Sequence, residues 1–388
     1  MPINPAIAEL VPDAQAWRRD LHANPEFLYD LPRTSQFVAE RLREFGCDEV
    51  RTAIGRTGVV GVIRGRKADS KRAIGLRADM DALPIEEATN LPYRSRVSGK
   101  MHACGHDGHT AMLLGAARYL ARTRDFSGVA IVIFQPAEEG GGGGKAMIDD
   151  GLMETFAIDE VYAMHNAPKA PVGTFAIRKG PLMAAADFFT LRLEGKGGHA
   201  GFPHLCADPI VAGAQIVTAL QTIVSRNVDP LDSCVVSVAR FTAGANDNVL
   251  PQTAELEGTV RSLLPATRDL AERRLREIVA GIAAASGITA NVDYVRSYPP
   301  TINHPAQTDF AASVARRLVG REGVTTETPP AMGAEDFSFM LEARPGALIW
   351  IGNDDSAGLH HPAYDFNDAA LPYGMAYFAG IIETALAP

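Results

Sequence analysis

Cysteine is scarce in this sequence: Cys47, Cys104, Cys206 and Cys234 are the only four among 388 residues. So few thiols over so long a chain exclude a disulfide scaffold and leave each one free to be a ligand, a nucleophile or core filler. Basic charge is short too. Lys and Arg number 37 against 46 Asp and Glu, and the net charge of -9 argues against a nucleic-acid surface built on phosphate contacts. No apolar run is long enough to span a bilayer. The opening residues MPINPAIAELVPDAQAWRRD lack the basic start and apolar stretch of a secretory leader. A cytoplasmic protein with neither nucleic-acid nor membrane partner is therefore expected. What is present is an ordinary globular mix, 46% hydrophobic and 21% charged. The length suits two domains, each large enough to bury its own core.

Residues 13–22 and 34–45 have helical spacing, with Thr34 or Ser35 as the expected cap of the second. Apolar runs at 58–63, 73–78, 129–134 and 160–165 read as strands, and 109–121 between the second and third reads as a helix. Such alternation predicts an α/β domain, a mainly parallel sheet flanked by helices. From about residue 185 the rhythm changes to strand 187–195, helix 207–225, strands 233–241 and 253–261, helix 266–285 and strand 288–295. That is the β-α-β-β-α-β order of a ferredoxin-like unit. Helix 306–319 and strand 348–352 then resume the first pattern. The expected organisation is a domain of 1–184 and 296–388 interrupted by an inserted α+β domain, 185–295.

Two stretches and three shorter sites carry candidate chemistry. MHACGHDGH (101–109) packs His102, Cys104, His106 and His109 into nine residues. Thiolate and imidazole are the usual ligands of zinc and its transition-series neighbours. The stretch leads into a helix whose dipole favours thiolate. FQPAEEG (134–140) ends a strand on Glu138 and Glu139, so one carboxylate can bind metal while the other stays free as a general base. The Gly-Lys that follows is not a phosphate-binding loop, because Ala146 stands where Ser or Thr is needed. Asp79 and Asp81, His165, and His360 and His361 also follow predicted strands. Asp79, Glu138, Glu139, His165 and His361 thus fall beyond the carboxyl ends of parallel strands, the edge at which open α/β sheets bind ligands. They are enough for two ions, which suits hydrolysis of an unreactive bond.

These stretches, with RRDLHANPE (18–26), GLRADMDALPI (75–85), GKGGHAGFPH (195–204), MGAEDFS (332–338) and LHHPAYDFND (359–368), resemble the aminoacylase and carboxypeptidase-G family of dinuclear metallohydrolases. The likeness is greatest to the branch of hippurate hydrolases, auxin–amino acid conjugate hydrolases and N-acetyl-diaminopimelate deacetylases. The resemblance implies that Cys104, His106, Glu139, His165 and His361 hold two divalent ions, Mn²⁺ or Zn²⁺. It implies Glu138 as general base and Asp79 as a residue holding a ligand or the base in place. It also implies that the inserted domain is a dimerisation lid, whose His199 stabilises the tetrahedral intermediate in the partner's site. Asn248 and Arg261 would then face the substrate carboxylate. A homodimer or homotetramer is expected. Where the carboxypeptidase members carry a His-x-Asp ligand motif, this chain has Arg77-Ala78-Asp79, which shifts the load to Cys104 and His106. The expected activity is cleavage of N-acyl amino acids to a carboxylic acid and a free amino acid, with dipeptides as the alternative substrates. A cysteine nucleophile at Cys104 would not need the Glu138–Glu139 pair.

Overall fold

In the computed structural model, which describes residues 3–67 and 70–388, the chain forms two compact units. The larger is Met1–Gly180, Ile302–Pro329 and Asp336–Pro388; the smaller is Pro181–Thr301 with Pro330–Glu335. Within the range 296–388, Pro330–Glu335 group with the smaller unit.

The larger unit is organised by an eight-stranded sheet. At its centre the strands Val129–Gln135, Ala73–Asp79, Glu160–Ala167 and Gly346–Gly352 run parallel, in that spatial order. Ala73–Asp79 is buried at every residue, as a strand covered on both faces must be, and its apolar residues accordingly fall on both faces rather than alternating, with Arg77 and Asp79 as the polar exceptions. Gly58–Arg64 lies against Val129–Gln135 in antiparallel register, and Glu49–Ile54 continues antiparallel at that edge. The helix His106–Thr123 starts at Gly105 and is almost wholly buried. It is three residues longer at its start than its apolar spacing predicts, because His106, Asp107 and Gly108 carry no apolar side chain to extend the pattern.

The helix Pro32–Glu44 is not capped by Thr34 or Ser35. Its N-cap is Leu31, which makes no side-chain bond there. The carboxylate of Glu26 instead accepts from the main-chain N–H of Arg33 (3.1 Å) and Thr34 (2.7 Å), meeting the free donors of the first turn from a neighbouring loop.

In the smaller unit a four-stranded antiparallel sheet has the order Cys234–Ala243, Thr253–Ser262, Ala185–Glu194, Thr289–Arg296. Numbered along the chain this is 2-3-1-4, the ferredoxin-like arrangement. Ala185–Glu194 alternates between buried and exposed positions over its second half, the mark of a sheet with one wet face. Helices Pro209–Thr222 and Pro265–Ser286 pack with it around Leu191, Leu193, Ile216, Leu256 and Leu275. No helix among the described residues is long and apolar enough to cross a membrane, and all four cysteines are free.

Candidate metal centre

The parallel strands deliver their side chains to one edge of the sheet. Glu160–Ala167 carries His165 and Asn166 near its end, and Ala73–Asp79 ends on Asp79. Val129–Gln135 is followed by a turn in which Ala137 has φ +53°, an uncommon conformation for a residue with a Cβ. The turn is tight: a Cβ on Gly143 would overlap the carbonyl of Pro136. It is pinned by Asp81, whose two oxygens accept from the consecutive main-chain N–H groups of Glu138 (2.9 Å) and Glu139 (3.1 Å).

Hydrogen bonds to main-chain carbonyls decide the state of two imidazoles. A carbonyl can only accept. His106 Nδ1, 2.8 Å from the Asp81 oxygen, and His165 Nδ1, 2.8 Å from the Asn166 oxygen, must therefore carry protons. Each ring thus presents Nε2 as the atom a metal would take, on His106 in place of a proton, the arrangement that prepares histidine to bind a metal. His165 Nε2 lies 3.4 Å from Cys104 Sγ. His106 Nε2 is buried without a hydrogen-bond partner among the described residues. Cys104, His106 and His165 have their donor atoms within 4.8 Å of one another. So do Cys104, Glu139 and His360, and so do His106, Glu138 and Glu139. The first two groups share Cys104.

His360, not His361, joins this cluster. Both are exposed, but His360 Nε2 is 3.3 Å from Glu139 Oε1, whereas His361 Nδ1 accepts from the N–H of Ala363. His360 has φ +62° and its N–H donates to the carbonyl of Ala103, which directs the first histidine of the pair, rather than the second, toward Glu139. The ligand expected at His361 is corrected accordingly.

His109 is a different case, although it lies near Asp79 and His106. The N–H of Asn166 donates to its Nε2 (3.0 Å), so Nδ1 carries the proton and donates to Asp79 Oδ1 (2.6 Å). With both nitrogens occupied, His109 has nothing to offer an ion. Arg77, fully buried, donates to the other oxygen of Asp79 (2.7 Å), to Gln135 (2.9 Å) and to Asp336 (2.9 Å). Asp336 in turn accepts from the N–H of Gly144 (2.8 Å), and its own N–H points to Glu138 Oε1 at 3.4 Å. Asp81, a candidate ligand in the sequence, thus holds the Glu138–Glu139 turn instead, and Asp336, to which the sequence alone assigned no role, holds Arg77 and Gly144. Their signal lay in the motifs around them, at positions far apart along the chain.

The electrostatics call for a cation. Burial works against a charge on His106, yet Asp79, with Asp81 and Glu139, raises its pKa to about 10. Burial pushes the Cys104 thiol well up, and Glu139, Glu138 and Asp79 push it further. A buried thiolate among carboxylates is untenable without an added positive charge, which disfavours Cys104 as an unaided nucleophile. Burial and the neighbouring His109 hold His165 well below the usual range for an imidazole and hence neutral. The lone His106 Nε2, a neutral His165 and soft sulfur beside hard carboxylate form a donor set that fits divalent ions of the transition series.

The sequence profile of peptidase family M20/M25/M40 matches residues 75–384, a span that includes all of these groups. The chain belongs to peptidase family M20/M25/M40. It is 44% identical to the hippurate hydrolase of Campylobacter jejuni over 98% of both chains. It is 40% identical to the N-acetylcysteine deacetylase of Bacillus subtilis, over 95% of this chain and 96% of the relative. Among solved structures, a Bacillus subtilis protein described as a dinuclear metal binding peptidase of the M20 family superposes with a TM-score of 0.85 at 35% identity. The match covers 98% of this chain and 99% of that one. Membership makes the chain a metal-dependent hydrolase of the M20 family.

The remaining expected residues lie in the smaller unit. His199 and Asn248 are brought together: the ladder pairing Gly198–His199 with Val249–Leu250 sets His199 opposite Val249, and the N–H of Ala200 donates to the Asn248 carbonyl (3.0 Å). Both side chains are exposed. Arg261 is on a separate sheet, half-buried on Thr253–Ser262, with its guanidinium 5.8 Å from the ring centre of Phe188.

Proposed function

We propose that this chain is an amidohydrolase that uses two divalent metal ions to cleave the amide bond of N-acyl amino acids, releasing a carboxylic acid and a free amino acid. The observation that carries the reading is the buried meeting of Cys104 Sγ, His106 Nε2 and His165 Nε2, with a second group of Glu139 and His360 sharing Cys104. Relatives named hippurate hydrolase and N-acetylcysteine deacetylase, at 44% and 40% identity over nearly the whole chain, supply the substrate class. Cys104, His106, Glu139, His165 and His360 would hold the ions, Mn²⁺ or Zn²⁺. The ions would supply Lewis acidity, lowering the pKa of water to about 7 and stabilising oxyanion charge.

The protein's own groups do the rest. Glu138 is buried beside the ligand Glu139, and its main chain is held by Asp81. It takes the proton from the attacking water and passes it to the amide nitrogen, because an amine leaves poorly unprotonated. Asp79, anchored by Arg77 and His109, remains anionic: burial opposes its charge, but His106, Arg77 and His109 hold it well below the carboxylate range. It is a fixed negative charge 3.7 Å from His106 Nε2 that favours a cation there. On the smaller unit, read as the lid and dimerisation domain of a homodimer or homotetramer, His199 stabilises the tetrahedral oxyanion. Asn248 and Arg261 bind the substrate carboxylate there. A guanidinium suits that role, since it meets a carboxylate with two parallel hydrogen bonds.

The test is a turnover panel of N-benzoyl, N-acetyl and indole-acetyl amino acids, with dipeptides alongside, on protein stripped with a chelator and reconstituted with Mn²⁺ or Zn²⁺. Metal-dependent release of the free amino acid from an N-acyl substrate is expected. Turnover of dipeptides alone, or activity that survives metal removal, would overturn the reading.

A further inference from the structure

Behind the cluster runs a chain of buried groups whose hydrogen-bond polarity is fixed from end to end. It starts at the main-chain N–H of Asn166, an obligate donor to His109 Nε2 (3.0 Å), and passes through His109 Nδ1–H to Asp79 (2.6 Å). The Asn166 side chain runs the other way. Its Nδ2 donates to the carbonyl of Cys104 (2.6 Å), and its Oδ1 accepts from the hydroxyl of Tyr364 (2.8 Å). Asn166 and Tyr364 are both fully buried. The amide cannot be reversed, because its neighbours Cys104 O and His109 Nε2 only accept, while the Tyr364 hydroxyl has its proton to give.

This pair presses on the backbone between two ligands. Gly105 has φ +89°, and a Cβ there would collide with Asn166 Nδ2 and lie 2.6 Å from the Tyr364 hydroxyl oxygen. The turn Cys104-Gly105-His106 is thus held from one side by a hydrogen bond and by contact. From the other side the Asp81 carbonyl holds the His106 ring. Neither Asn166 nor Tyr364 is among the grouped donor atoms.

We propose that Asn166 and Tyr364 are positioning residues: together they set the turn that spaces Cys104 from His106, and so fix the geometry in which both meet a metal ion. The inference rests on the metal-centre reading above. Neither residue touches the reacting atoms; they act through the loop they hold. Partners that orient ligands in this way are worth about 10–100-fold in metal affinity when removed.

The experiment measures metal, not turnover. Metal-free wild type, Tyr364→Phe and Gly105→Ala are titrated with Zn²⁺ and with Mn²⁺ against a chromophoric chelator, and their thermal unfolding is followed in parallel. Tyr377→Phe is the control, a buried tyrosine whose hydroxyl has no hydrogen-bond partner among the described residues. Tyr364→Phe is expected to bind about 10–100-fold more weakly at one site or more, Gly105→Ala more weakly still, and Tyr377→Phe as wild type. Reconstituted Tyr364→Phe should lose kcat with KM little changed. Wild-type affinity and stoichiometry in Tyr364→Phe would overturn this inference alone. Failure of wild type to take up any ion would overturn the metal-centre reading and this inference with it. An equal loss in Tyr377→Phe would show a general packing effect, and would overturn it as well.

Discussion

In the larger unit His106 and His165 are buried, and main-chain carbonyls dictate which ring nitrogen carries the proton. In the smaller unit His199 is exposed, and its ring meets near neighbours along the chain: Nδ1 accepts from the N–H of Gly201 (2.9 Å), and the ring of Phe202 lies 5.2 Å away. The same side chain is thus treated in two ways. Burial with every polarity fixed is costly unless a partner arrives for the remaining electron pair. It therefore points to a ligand that belongs to the protein. An exposed imidazole on a two-residue ladder has no such requirement and suits a transient ligand such as a substrate. Metal ligands can be inferred from one chain's hydrogen bonds, whereas substrate contacts need the substrate to reveal them.

The largest effect that could break this contrast is expected at Glu138. Glu138→Ala leaves Cys104, His106, Glu139, His165 and His360 intact, so two ions should still bind by metal analysis while kcat falls about 10²–10⁴-fold. Activity within a few-fold of wild type would remove Glu138 as the base. His199→Ala should come next, lowering kcat about 10²–10³-fold, the usual size for a lost oxyanion donor, with metal content unchanged. If the site is shared between subunits, mixing the two inactive variants should recover activity in purified heterodimers. Each heterodimer then holds one site with an intact Glu138 and an intact His199. No recovery in a confirmed heterodimer would place His199 in its own chain's site or outside any site.

Arg261→Ala should have a smaller effect of another kind. Loss of a charge-assisted pair with the substrate carboxylate, about 1.5–3 kcal/mol, corresponds to a KM about 10–100-fold higher with kcat less affected. Substrates whose carboxylate is amidated should show no difference between wild type and variant. A variant that loses kcat alone would assign Arg261 to the transition state instead.

The sequence carried the strands well, because buried parallel strands are predominantly apolar runs without alternation. Ala73–Asp79 and Val129–Gln135 could be read almost to the residue. It did not carry direction: nothing in the run Gly58–Arg64 marks it as antiparallel to its neighbour. Cys104 and His106 were legible because their spacing is local. The choice between His360 and His361 was not, since it turns on the sign of one φ angle and a hydrogen bond to Ala103. Glu26 as a cap and Asn166 with Tyr364 as a clamp were hidden for the same reason. Each acts across a gap in sequence that only the folded chain closes, 198 residues in the last case.

The smallest effect concerns stability rather than turnover, and sharpens the contrast from the buried side. His22 is fully buried, with Nδ1 2.8 Å from Asp107 and Nε2 3.4 Å from Glu87. Burial alone would lower its pKa, but the bond to Asp107, aided by Glu87, raises it to about 9. A group whose folded pKa exceeds its unfolded value stabilises the fold fully below the unfolded value, near 6.5, and loses that contribution as pH rises through the folded one. Between pH 6 and 10 the wild type should therefore lose stability, by a few kcal/mol at most, in a step that His22→Gln lacks. Asp107, held low by His22 once its burial is overcome, stays charged throughout and adds no step of its own. The check is Tm against pH for both proteins, with His199→Gln as the exposed counterpart. A step that persists in His22→Gln, or that vanishes equally in His199→Gln, would show that the dependence arises elsewhere than in the buried pair.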